Sequence, residues 1–191
     1  MARLRIQDHL LTQATWTPSP HASPRADWAD IELVVLHCIS LPEGVYGQGM
    51  PERLFLGTLD TNEHPTFSDL AGVEVSAHLL ILREGTMQQF VRFDEQAWHA
   101  GMSTWRGRAA CNQFSIGIEL EGCVNDTYTE AQHQTLIEVL HVLLEHYPGI
   151  DVGNIVGHQE IAPGRKQDPG PNLNWPSLLK KCAAVTHTES L

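Results

Sequence analysis

Positive charge is scarce in this 191-residue chain: 12 Lys and Arg stand against 23 Asp and Glu, a formal net charge of −11. Such a balance argues against a nucleic-acid partner, because binding to phosphate backbones relies on clustered cations. Long apolar runs are missing too. None approaches the roughly 18 residues that span a bilayer, so no membrane partner is expected. The opening stretch, MARLRIQDHLLTQATW, offers only Leu10 and Leu11 as an apolar pair and lacks a signal-peptide core. A cytoplasmic location is therefore expected. Cysteines occur at 38, 111, 123 and 182 with no CxxC pair, and free buried thiols are the plain expectation. Internal repeats and low-complexity tracts are absent.

What is present suffices for a real core: 42% hydrophobic and 18% charged residues, too apolar a mixture for a disordered chain. The length suits one domain, residues 1–191, with 1–30 an irregular, Pro-punctuated lead-in and 182–191 a flexible tail. IELVVLH (31–37) is β-branched and apolar, and predicts a buried strand ending in a histidine. Residues 40–72 predict a long irregular stretch with one short helix at Pro51. VSAHLLIL (75–82) and MQQFVRF (87–93) predict a hairpin turning at Gly85. In SIGIELEG (115–122), Ile116, Ile118 and Leu120 share one face, while Ser115, Gly117, Glu119 and Glu121 share the other. The second face has room above it.

Residues 129–147 predict the clearest helix, with a Thr129/Gln132 capping box and Pro148 beyond its end. IVGH (155–158) predicts a strand, again ending in histidine, and a last helix opens near Pro176. The order of elements implies an α/β fold, a central mixed sheet flanked by helices.

Histidine is abundant, at 11 residues. Two of them, His37 and His158, end predicted strands, and Asp168 follows the second by ten residues. Strand ends are where such sheets place their sites, and two imidazoles with one carboxylate suit a catalytic zinc ion with an open position. The long spacing matches no local metal motif, so on pattern alone unrelated strand-end histidines and a turn-forming Asp-Pro are the favoured reading. Lys166 stands in the same loop as Asp168, where an ammonium stabilises an oxyanion. Glu119 is placed to take a proton from water, with Glu121 as its rival on the same face.

Six segments, in order, resemble the zinc-dependent N-acetylmuramoyl-L-alanine amidases, an amidase-2 family related to peptidoglycan recognition proteins: HCISLP (37–42), VSAHLLI (75–81), AWHAG (97–101), CNQFSIGIELEG (111–122), YTEAQ (128–132) and GHQEIAPGRKQDPGP (157–171). The resemblance runs from about residue 16 to residue 180. It implies zinc held by His37, His158 and Asp168, with Glu119 and Lys166 in water activation and transition-state stabilisation. It further implies a monomer that hydrolyses the amide between the lactyl group of 1,6-anhydro-N-acetylmuramic acid and L-alanine in soluble anhydro-muropeptides. Cys38, Ala97, Trp98, His99 and Arg165 are the expected substrate contacts, and Arg92, Arg106 and Arg108 are further cations for an anionic peptide stem. His78 is read as a strand histidine near the cleft. Three residues depart from the family pattern: Cys38 replaces an Asn, Gln167 a Thr, and Glu74 a basic residue. A lytic amidase of intact wall, or a binding protein that has lost catalysis, are the competing functions.

Overall fold

The computed structural model describes residues 3–184. Twelve strands run in chain order: β1 (Ile6–Gln7), β2 (Leu10–Leu11), β3 (Thr15–Trp16), β4 (Ala22–Pro24), β5 (Leu33–Ile39), β6 (Leu79–Ile81), β7 (Met87–Gln89), β8 (Glu95–Ala97), β9 (Thr104–Trp105), β10 (Arg108–Ala109), β11 (Ser115–Glu121) and β12 (Ile155–Gly157). The helices are α1 (Met50–Phe55), α2 (Glu130–His146), α3 (His158–Ile161) and α4 (Trp175–Ala183). Six strands form the central mixed sheet in the order β12-β5-β11-β6-β7-β3. β12, β5, β11 and β6 are parallel, β7 runs antiparallel to β6, and β3 lies parallel to β7. The expected fold class is observed.

The two faces of the sheet follow from side-chain alternation. Val34, Leu36, Ile116, Ile118 and Leu120 face Leu136, Val139, Leu140 and Leu143 of α2 in one large apolar cluster. The helix begins as predicted: Thr129 Oγ1 accepts from the Gln132 backbone, and Gln132 Oε1 accepts from the Thr129 N–H. On the opposite face, two smaller clusters gather around Leu33, Val35 and Phe114, and around Leu54, Phe55 and Leu80. The candidate site lies between them.

Three expectations need adjustment. The lead-in is not irregular throughout: β1 pairs with β2, β3 joins the central sheet, and β4 pairs with β8. These strands are two or three residues long, too short for a period to show. His158 opens α3 rather than ending β12, because the Gly157 N–H donates to Glu160 Oε2 at 2.7 Å and turns the chain there. Cys182, assigned to the tail, is buried in α4 against the α2 cluster; residues 185–191 lie outside the described residues. Among the described residues, no helix is long and apolar enough to cross a membrane.

Candidate metal centre and active site

Strand register brings the first site residues together. Glu119 pairs with His37 and Gly117 with Val35 across β11 and β5, so His37 and Glu119 rise from the same face. His158, at the start of α3, and Asp168, in the following loop, close over them. The Asp168 loop is fixed from two sides: the Gln159 N–H donates to the Asp168 carbonyl and Tyr128 Oη donates to the Pro169 carbonyl at 2.6 Å. Gly170 completes the close approach. At φ +86°, with Val124 O only 1.8 Å from where a Cβ would stand, no other residue fits.

His37 Nδ1, His158 Nδ1 and Asp168 Oδ2 lie 2.9 to 3.1 Å from one another. Both imidazoles are buried, and burial lowers the His37 pKa to about 4, leaving it neutral. His158 Nε2 sits 3.1 Å from the Ala100 carbonyl, which only accepts, so that nitrogen carries a proton. In a neutral ring, Nδ1 then presents a lone pair to the Asp168 carboxylate. Acceptors converging this closely fit a cation held among them, and His, His and carboxylate form a donor set that suits zinc with a position left open. The residues present fit the metal.

A cavity of about 350 Å³ opens over the triad, and Glu119, Lys166, Cys38, Trp98 and His99 border it. Glu119 Oε2 is buried without a hydrogen-bond partner. Burial, then the nearby Asp168 carboxylate, push the Glu119 pKa well above the usual carboxylate range, and Lys166 pulls in the opposite direction. Glu121 is spent elsewhere: its carboxylate accepts from the Gly47 N–H at 2.6 Å and the Arg83 N–H at 3.2 Å, anchoring two loops. Of the two glutamates, Glu119 is the one that borders the cavity.

The expected substrate contacts separate into two groups. Cys38, Trp98 and His99 border the cavity. Cys38 stands on the α2 side of β5, packed against that cluster, and burial pushes its thiol up to about 12. The Ala97 side chain is buried in the Phe55–Phe90 cluster, and Arg165 donates to the Ala100 and Met102 carbonyls rather than facing the cavity. Arg92 pairs with Asp94, Arg108 with Asp30 and Glu32, and Arg106 lies over Trp105. Lys166 is the cation that borders the cavity.

Two contributors escaped the sequence reading. Arg25, from the lead-in, donates to the Phe93, Asn112, Gln113 and Ser115 carbonyls and lies 3.1 Å from His78 Nε2. Asn112 Oδ1 accepts from the His99 and Ala100 N–H groups. Arg25 gave no signal in composition or period, and Asn112 was visible only inside the CNQFS segment.

The amidase-2 family, described as N-acetylmuramoyl-L-alanine amidase, matches residues 27–171. This chain belongs to that family. The match takes in every residue of the triad as well as Glu119 and Lys166. Among its relatives, the 1,6-anhydro-N-acetylmuramyl-L-alanine amidase AmpD of Salmonella typhimurium (strain SL1344) is 48% identical, covering 94% of this chain and 95% of the relative. AmpD of Escherichia coli (strain K12) is 49% identical over 89% of this chain and 92% of its own. A crystal structure of a selenomethionine derivative of AmpD superposes with a TM-score of 0.87 at 46% identity, covering 94% of this chain and 98% of that one. N-acetylmuramoyl-L-alanine amidase chemistry is thus the activity the family supports, and the His–His–Asp cluster sits where the cavity gives a substrate access.

Proposed function

We propose that this amidase is zinc-dependent and hydrolyses the amide joining the lactyl group of 1,6-anhydro-N-acetylmuramic acid to L-alanine in soluble muropeptides. The observation that carries this reading is the meeting, in one cavity, of a metal-fit triad with an unpartnered buried carboxylate oxygen and a free ammonium. The likeness to AmpD over nearly the whole of both chains supports the anhydro-sugar substrate. A soluble fragment of wall turnover suits a single-domain cytoplasmic monomer, which is the location and state we infer.

His37, His158 and Asp168 would hold the zinc, which would supply Lewis acidity and a nucleophile at neutral pH. Glu119 Oε2, free of other hydrogen bonds, takes the proton of the attacking water and returns it to the departing alanine nitrogen. Its raised pKa suits the second task, since it holds a proton more readily than an exposed carboxylate. Lys166 places positive charge beside the oxygen on which negative charge develops, where one donor is worth about 3 kcal/mol. Trp98, fixed by its Nε1 donation to Ser23 Oγ and stacked on His21, forms a rigid wall for the sugar or the first peptide unit.

Mass spectrometry of zinc-loaded protein with 1,6-anhydro-N-acetylmuramoyl-tripeptide tests the proposal, beside chelator-treated protein and polymeric wall. Free tripeptide and anhydro sugar, abolished by the chelator and far exceeding release from polymer, are expected. Preferred cleavage of polymer would make the chain a lytic amidase, and binding without cleavage would make it a receptor.

A further inference from the structure

β11 carries Ser115 and Gly117 where it faces the site, and the space they leave is filled by one side chain. A Cβ on Gly117 would stand 2.4 Å from His99 Cγ, so the imidazole lies directly against the strand. Asn112 holds the His99 backbone in place by accepting its N–H at 3.2 Å. Both ring nitrogens of His99 are then engaged: Nε2 is 3.1 Å from Ser115 Oγ, and Nδ1 is 2.9 Å from His37 Nε2. Ser115 Oγ is in turn 2.6 Å from the Cys111 carbonyl.

The direction of this chain is set at its far end. A carbonyl only accepts, so the Ser115 hydroxyl proton points to Cys111. The Ser115 oxygen must then accept from His99 Nε2–H. A neutral imidazole has one N–H, which leaves His99 Nδ1 as an acceptor for His37 Nε2–H. His37 Nδ1 is thereby left as a lone pair aimed at His158 and Asp168. We propose that Ser115 and His99 are positioning residues that fix, through a one-way chain of hydrogen bonds from the Cys111 carbonyl, the His37 tautomer able to ligate the metal. Reversal of the chain would put a proton on His37 Nδ1, 3.1 Å from Asp168 Oδ2. That proton would satisfy the carboxylate and compete with a cation. The chain therefore keeps the triad open to metal before metal arrives. Such outer partners commonly contribute 10–100-fold to metal affinity.

The inference rests on the zinc reading above, and the test separates the two. In metal-free wild-type protein, imidazole ¹⁵N shifts are expected to show His37 and His99 both protonated on Nε2. Ser115→Ala, which removes the one-way link, is expected to give a mixture of tautomers at both rings and an approximately 10–100-fold weaker zinc affinity in chelator competition. Gly117→Ala, which leaves every hydrogen-bonding group in place but displaces the His99 ring, is expected to weaken zinc similarly. Thermal unfolding of the metal-free Ser115→Ala protein should show the modest loss expected for one buried hydroxyl, and the tautomer mixture and the lost zinc affinity are the readouts a purely structural serine would not move. Protonation of His99 on Nδ1 in wild type, or Ser115→Ala with unchanged tautomers and zinc affinity within twofold of wild type, would overturn the relay. Absence of zinc binding by wild type would instead overturn the metal reading, and the tautomers of the metal-free protein would still decide the relay.

Discussion

The two faces of β5 and β11 are built from the same strands and differ in what covers them. On one face, Val34, Leu36, Ile116 and Ile118 meet the leucines of a single 17-residue helix. On the other, His37, Ser115, Gly117 and Glu119 meet side chains from four separate segments: Arg25 from the lead-in, His78 before β6, His99 after β8, and Asp168 after α3. The first face is apolar and periodic, and its contribution is stability. The second concentrates polar groups that hydrogen-bond to one another, and leaves the Glu119 oxygen without such a partner. Placing the chemistry on the second face frees it from the packing demands that govern the first.

Substitutions should separate the faces cleanly. The largest effect is expected at Glu119→Gln, which should lower kcat by about 10²–10⁴ while one zinc stays bound, as removal of a general base does; near-normal turnover would return the role to another group. Next comes Leu140→Ala under the apolar face, expected to cost about 2–5 kcal/mol in denaturant unfolding and to leave zinc affinity unchanged. Arg25→Met strips four carbonyls of their shared donor and should destabilise the metal-free protein by about 2–4 kcal/mol. Equal stability would show that those carbonyls find other donors. Thr129→Ala, removing the α2 capping box, should cost only about 1 kcal/mol, again without touching zinc.

A pH profile sharpens the same contrast. His78 is fully buried, and burial, followed by the Arg25 charge, lowers its pKa to about 3. Unfolded, it titrates near 6.5. Between those values the unfolded chain binds more protons at this site, so the site's contribution is present above about 6.5 and is lost as pH falls toward 3. His78→Gln should flatten the stability profile in that window, whereas Leu140→Ala should shift the whole curve without changing its slope. An unchanged slope in His78→Gln would show that His78 is not held neutral.

Legibility in the sequence followed the same division. The apolar face was readable because alternation in 115–122 and the 3.6-residue period of α2 are local signals, and the structure places that strand and helix within a residue of expectation. His37, His158 and Asp168 were weak candidates from pattern, since only the two predicted strand ends pointed to them, and strong ones only through the family resemblance of the segments that hold His37, His158 and Asp168. Alternation alone could not choose between Glu119 and Glu121, since both share one face, and the preference for Glu119 came from the resemblance; the contacts of Glu121 with Gly47 and Arg83, distant in sequence, were not visible. What fills the room above Gly117 was invisible for the same reason. His99 follows a three-residue strand, and Arg25 follows another, with no period to announce either.

Zinc content after dialysis, compared among wild type, Leu140→Ala and His158→Ala, tests the division most directly. One zinc per chain in the first two and none in the third is the result the structure predicts. One zinc per chain retained by His158→Ala would contradict it, because the metal would then be held by residues other than the His37–His158–Asp168 triad.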